Sequence, residues 1–380
     1  MRRRELILGL ATLASVGRAS AQDRLRGVGA LIAEPSVASF LETPLREKGW
    51  ILGQNLQIEY RITHGDTNLS EAYARELLAL QPDVLFAVGN TSMAALHAEH
   101  SNIPTVFAMV SDPVGMHYVE SFSRPGGNVT GFTPFEPSLG GKWVELIKEI
   151  APNVEHIGIV YNPEPGNNSS AFRKSIDEVA SKVGIASIET PSGGSSDIDR
   201  LIRSLKDEPN GGLIFLPDAI TFVRRVQITA LVAQCRLPAI YPLRAFCEAG
   251  GLVSYGVKIE KIVAGAASYV DRILRGANPA ELPVQAPTEF EFVLNQKAAR
   301  QFGLQLPPAL LARADEVIEY SSLAATHESG FDAVDGSSTG TRVPRMWALL
   351  RLPRFRGASH ADDHDNRSRH CQVSVPGSRS

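Results

Sequence analysis

The chain has 380 residues, 43% hydrophobic, 21% charged and 7% aromatic, enough apolar matter for two buried cores. A formal net charge of −3 and a pI near 6.3 provide no field that would collect nucleic acid or an acidic membrane surface. A mean hydropathy of −0.06, with no long apolar run in the body, argues against a membrane-embedded chain.

The chain opens on Arg2, Arg3 and Arg4, an apolar stretch from Leu6 to Val16, and the small-residue sequence Ala19-Ser20-Ala21. Basic head, short apolar run and A-x-A site are the three parts of a secretory signal peptide, so residues 1–21 are expected to be removed. The paired arginines loosely match a twin-arginine signal, and no Cys stands at the cleavage point to take a lipid. An exported, periplasmic protein is expected, by the general secretory or the twin-arginine route and not as a lipoprotein. Cys235, Cys247 and Cys371 show no C-x-x-C spacing, so a Cys235–Cys247 bridge and two small half-buried hydrophobes both remain open.

From Leu25 onward, short β-rich runs alternate with amphipathic helices, the pattern of an α/β fold with parallel sheets. Strands are expected over Gly27 to Ala33, Leu56 to Ile62, Val84 to Val88, Thr105 to Met109, Ile157 to Tyr161, Leu213 to Leu216 and Leu252 to Tyr255. Helices are expected over Val37 to Lys48, Leu69 to Leu80, Ser92 to His100, Leu139 to Ile150, Ser170 to Val183, Ile198 to Leu205 and Phe222 to Cys235. After Lys258, Ile259, Ile262, Val263, Ala266, Val270, Ile273 and Leu274 form one apolar stripe of a further helix. The turn Pro125-Gly126-Gly127-Asn128 closes one series of units and a second begins after Pro137, so two similar lobes follow in tandem. A Pro-rich link from Asn278 to Pro287 and a strand at Glu289 to Leu294 suggest that the chain crosses between lobes more than once. Beyond Tyr320 the sequence is rich in Ser, Gly, Arg, His and Asp, a composition expected to be disordered.

Enzyme signatures are missing. There is no G-x-S-x-G elbow and no H-E-x-x-H helix, and Gly140-Gly141-Lys142 lacks the remaining P-loop residues. Gly27-x-Gly29 lies at the start of a strand instead of in the turn after one, which makes a poor dinucleotide fingerprint. No catalysis, cofactor or metal is expected.

Polar residues gather instead after the carboxyl ends of the expected strands, where open α/β sheets bind their ligands. Asn90, Thr91 and Ser92 open a helix whose N-terminus suits a carboxylate, or simply cap it. Asp112 precedes Pro113 and either caps the next turn or faces a cationic group. Asn162 and Asn168 follow one second-lobe strand and Asp218 another, with turn or ligand roles open for each. Tyr241 and Tyr255 offer apolar faces to a ligand or to the core.

Several stretches together resemble one family. They are Gly89-Asn90-Thr91-Ser92, Ser111-Asp112-Pro113-Val114-Gly115, the run from Ser123 through Gly131, the run from Glu248 through Gly256, and the Arg275 to Gln285 segment. The chain is similar over about residues 1 to 319 to ABC-transporter substrate-binding proteins, whose better-known members bind tryptophan or tyrosine. The resemblance implies a type I periplasmic-binding-protein fold: two Rossmann-like lobes with parallel sheets, a multi-stranded hinge and a solute in the interlobe cleft. The expected partition is residues 22–133 plus about 256–288 in one lobe, and 134–255 plus about 289–320 in the other. It also implies that Asn90, Thr91, Ser92, Asp112, Asn162 and Asp218 fall at cleft positions. Asp218-Ala219-Ile220 lacks the Asn and Thr that often follow this Asp in aromatic-amino-acid binders, so the resemblance does not extend to tryptophan as the solute. The expected function is capture of a small organic solute, amino acids among the candidates, by a monomer that delivers it to an ABC permease with a separate ATPase. The rival is a ligand-sensing module of a signalling or regulatory system, because the same fold serves both.

Overall fold

The computed structural model describes residues 25–134, 136–163, 169–191 and 195–319. The leader, Asn168 and the tail expected to be disordered lie outside the described residues.

The first lobe begins with β1 (Arg26–Ile32), α1 (Ala38–Glu47), β2 (Leu56–Ile62), α2 (Thr67–Ala79), β3 (Val84–Val88), α3 (Asn90–Ala98), β4 (Thr105–Ala108) and β5 (Val129–Phe132). Its five strands are all parallel in the order β2-β1-β3-β4-β5. β3 and β4 are buried along their whole length, as strands covered on both faces must be, which explains their unbroken apolar runs.

Next come α4 (Leu139–Ile150), β6 (His156–Tyr161), α5 (Ser169–Lys182), β7 (Ala186–Pro191), α6 (Ser195–Ser204), β8 (Gly211–Phe215), α7 (Ala219–Val223), α8 (Arg225–Cys235), β9 (Ala239–Tyr241), α9 (Arg244–Glu248) and β10 (Val253–Val257). α10 (Ile259–Leu274) then packs on α1 and on β3, β4 and β5, which places it on the first sheet. β11 (Phe290–Asn295), α11 (Gln296–Phe302), α12 (Pro308–Arg313) and β12 (Glu316–Ile318) complete the described chain. The second sheet runs β12-β11-β10-β9-β8-β6-β7, parallel except that β11 meets β10 antiparallel. The chain thus passes from one sheet to the other between β5 and α4, between β10 and α10, and between Gln285, which bridges to Phe132 of β5, and β11.

The structure differs from the sequence reading in instructive places. β9 and β12 have three residues each, β5 carries Gly131, and the outer strand β7 is mostly solvent-facing, so none produces a clear apolar run. The helix expected over Phe222 to Cys235 is two helices: Asp218 caps a short one that starts at Ala219, and the backbone departs from helical geometry at Arg224 (φ −92°, ψ 11°) before the second begins. Cys235 and Cys247 are buried free thiols, so the bridge is not formed; the Cys247 thiol points to the Val293 carbonyl at 3.6 Å. Among the described residues no helix is long and apolar enough to cross a membrane.

Candidate functional site

In each sheet the chain winds outward in both directions from one pair of neighbouring strands, β1 and β3 in the first and β6 and β8 in the second. Loops leaving the carboxyl ends of such a pair diverge and leave a crevice between them, the usual ligand position of open α/β sheets. The loops after β1, β3 and β8 line one cleft, with Ala33 and Glu34 from the first, Gly89, Asn90 and Thr91 from the second, and Pro217, Asp218 and Ala219 from the third. Phe222, Pro242, Leu243 and Phe246 supply an apolar wall from the second lobe; Val37, Val88 and Met109 supply one from the first. The cleft holds about 690 Å3 of empty space, counted out to open solvent.

The first-lobe wall is built around backbone. Gly89 (φ 87°, ψ 164°) adopts a conformation closed to other residues and lets the chain turn sharply into α3, which begins without a side-chain cap. The first turn of α3 is a positive helix end, and the cleft passes it at Asn90 and Thr91. The Asn90 carboxamide oxygen accepts from the Ser111 N–H at 2.8 Å and ties this loop to the next one. Met109 (φ 59°) and Asp112 (φ 46°) are non-glycine residues in left-handed backbone on either side of Ser111, and Met109 and Ser111 both line the cleft. Such strain persists only where surroundings hold it, and it clusters at ligand sites.

On the facing wall Asp218 is the N-cap of α7. Its Oδ1 accepts from the N–H groups of Ile220 (2.9 Å) and Thr221 (3.1 Å), and its Oδ2 from Asn162 Nδ2 (3.1 Å). Burial pushes the Asp218 carboxyl above its usual range; the Thr221 N–H, the Asn162 amide and the Ile220 N–H act against that rise. This carboxylate keeps partial access to the cleft and carries a solvation deficit that a cation would relieve.

Of the residues singled out in the sequence, Asn90, Thr91 and Asp218 meet in the cleft lining. Asn162 lies outside the lining and donates to Asp218 from behind it. Ser92 is buried in α3 behind the lining, and Asp112 caps its own turn by accepting from the Gly115 N–H at 2.9 Å. Tyr241 offers no face to a solute, because its ring is fully buried between Phe215 and Phe246, at 5.0 and 4.8 Å. Tyr255 stacks near Phe290 and lines a separate groove beside α4. Glu34, Met109, Phe222 and Leu243 were missed. The rule that found Asn90, a residue just past a strand's carboxyl end, finds Glu34 equally well when applied to β1. Among the described residues no group of three or more His, Cys, Asp or Glu could hold a metal.

Two parallel-sheet lobes with facing crevices define a type I periplasmic-binding-protein fold, a class of solute binders. Residues 31–318 match the family of ABC transporter substrate-binding proteins, and the chain belongs to that family. It is therefore the solute-binding component of an ABC transporter and not an enzyme. A tyrosine-binding protein of Clostridioides difficile is 25% identical over 284 residues, covering 73% of this chain and 81% of the relative. A solved Vibrio cholerae conserved domain protein is 31% identical with a TM-score of 0.71, over 77% of this chain and 99% of that one. A Streptococcus pneumoniae domain in complex with L-Trp is 23% identical with a TM-score of 0.71, over 78% of this chain and all of that one.

Proposed function

We propose that the cleft captures a zwitterionic amino acid with an apolar side chain and hands it to a membrane permease driven by a separate ATPase, outside the cytoplasm. The observation that carries this reading is the opposition of the α3 N-terminus to Asp218 across an apolar-walled cleft. The helix end suits the ligand carboxylate. Asp218 suits the ammonium, and Phe222, Phe246 and Leu243 suit a hydrocarbon or aromatic side chain. The binding of tyrosine and of tryptophan by relatives supports the same class. Asn90, Thr91 and Asp218 are the proposed contacts, with Ser92, Asp112 and Asn162 supporting them.

Thermal unfolding of protein stripped of carried-over solute, against L-tyrosine, L-tryptophan, branched amino acids, small organic acids, nucleosides and sugars, tests the reading. A ligand at 100 times its Kd adds about 2.7 kcal/mol to the folded state and raises the melting temperature by several degrees. A rise with one or a few apolar amino acids is expected. A rise only with sugars or nucleosides overturns the assignment.

A further inference from the structure

We propose that Glu34 and Arg225 form a clasp that joins the two lobes beside the cleft and sets how much of the solute-free protein is closed. Glu34 follows β1 in the first lobe, and Arg225 begins α8 in the second, 191 residues later. The guanidinium grips the carboxylate with both prongs, Nη1 to Oε2 at 2.5 Å and Nη2 to Oε1 at 2.9 Å. Each side chain is about one-fifth exposed, 21% for Arg225 and 18% for Glu34, so the pair is partly shielded from water. A bidentate pair in that setting is stronger and more directional than an open surface contact.

Both partners are shaped for this contact. Arg225 also donates through Nη1 to the Phe222 carbonyl at 2.8 Å, and its guanidinium lies 4.7 Å from the centre of the Phe222 ring, so the clasp holds a cleft wall residue in place. A cation in the first turn of a helix opposes the helix dipole, and α8 has no acidic residue there to offset it. That local cost is recovered only through a partner such as Glu34. Glu34 stands at the N-cap of a short 3-10 turn, yet its side chain makes no capping hydrogen bond; it accepts instead from Arg225 and from Ser36 Oγ at 3.0 Å. The neighbouring Arg224 pairs within its own lobe, with Asp199 at 3.1 Å. A second approach between the lobes lies close by, where a Cβ on Gly65 would stand 3.2 Å from Ile220. Glu34 and Arg225 are positioning residues: they act on the lobes and on Phe222.

The test measures lobe separation in solute-free protein, so it stands whether or not an amino acid is the cargo. Spin labels are placed at exposed positions of α1 and α8, as Glu47→Cys and Ala230→Cys in a Cys371→Ser chain, and their distance distribution is recorded by double electron–electron resonance. Glu34→Gln is expected to lower the ratio of closed to open protein about three- to tenfold. Arg225→Lys keeps the charge but loses the fork, and falls between. The exchanged pair Glu34→Arg with Arg225→Glu restores much of the closed population, while Arg224→Gln leaves the distribution unchanged. An unchanged distribution in Glu34→Gln, no recovery in the exchanged pair, or an equal shift in Arg224→Gln overturns the proposal. So does a Glu34→Gln protein that closes normally yet loses L-tyrosine and L-tryptophan binding present in the parent, because Glu34 is then a ligand contact and not a clasp.

Discussion

Asp218 has two jobs that conflict. As an N-cap it satisfies two orphan N–H groups of α7, and as a half-buried carboxyl short of solvation it resists ionisation. Its carboxyl titrates above the usual range in the folded protein, so folding favours its protonated form. The stability it contributes is present at low pH and falls as pH rises from the ordinary carboxylate range through the raised value. An arriving ammonium reverses the balance by favouring the anion. Affinity for an amino acid should therefore weaken as pH falls through the raised value, and isothermal titration across pH shows it. Asp218→Asn keeps an acceptor at the cap, so its unfolding free energy should change by less than about 1 kcal/mol. Binding should weaken by about 1.5–3 kcal/mol, the worth of a hydrogen bond to a charged group, and lose its acid-side slope. Undiminished affinity in this variant would remove Asp218 from the contacts. Why these residues were legible is clear: Asn90, Thr91 and Asp218 each follow a strand end at a place where order along the chain alone marks a crevice. Tyr241 was not separable from a ligand contact, since a buried aromatic and a cleft aromatic read alike until the Phe215 and Phe246 rings are seen on either side of it.

At the scale of the element, the turn from β3 into α3 decides whether the helix end faces the cleft. Gly89 holds φ 87° and ψ 164°, and a Cβ there would meet no atom within 4 Å, so substitution carries a backbone cost alone. Gly89→Ala should lower stability by about 1–3 kcal/mol in urea unfolding and weaken amino-acid binding, because the strain is relieved by turning the first N–H groups of α3 away. Full stability with full binding would mean the turn relaxes without moving the helix. The long elements were readable because their periodicity is strong: α4 spans Leu139–Ile150 as the apolar spacing indicates, and β2 and β3 coincide with their runs. Short elements were not. A three-residue strand such as β9 repeats no pattern, and the break between α7 and α8 lies in the backbone of Arg224, with no Gly or Pro to mark it in the sequence.

Across the whole molecule, the alternation of strand and helix makes two parallel sheets legible, but not which sheet each late element joins. That choice is made by tertiary packing: α10 has the same amphipathic pattern whichever lobe it covers. The consequence is that the first sheet draws part of its core from beyond residues 25–134. α10 buries Ile262, Val263, Val270, Ile273 and Leu274 in its packing with α1, β3, β4 and β5. At about 1.5–3 kcal/mol for each large side chain, their burial is worth on the order of 10 kcal/mol as an upper bound, comparable with the whole net stability of a domain. The segment after α10 adds edge contacts, with the Thr130 hydroxyl donating to the Leu282 carbonyl at 2.5 Å and the Thr133 N–H to the Gln285 carbonyl at 2.9 Å. A fragment of residues 25–134 expressed alone should therefore show no cooperative thermal transition by circular dichroism. Supplying residues 257–286 on a second chain should restore solubility and a transition. A cooperative transition in the short fragment would show that the sheet closes its core without α10. The dependence of the first sheet on a helix reached only after the second lobe would then have no energetic basis. If the short fragment fails and the supplied segment rescues it, the passages between lobes do more than connect them: they bind the stability of the first lobe to a chain already threaded through the second.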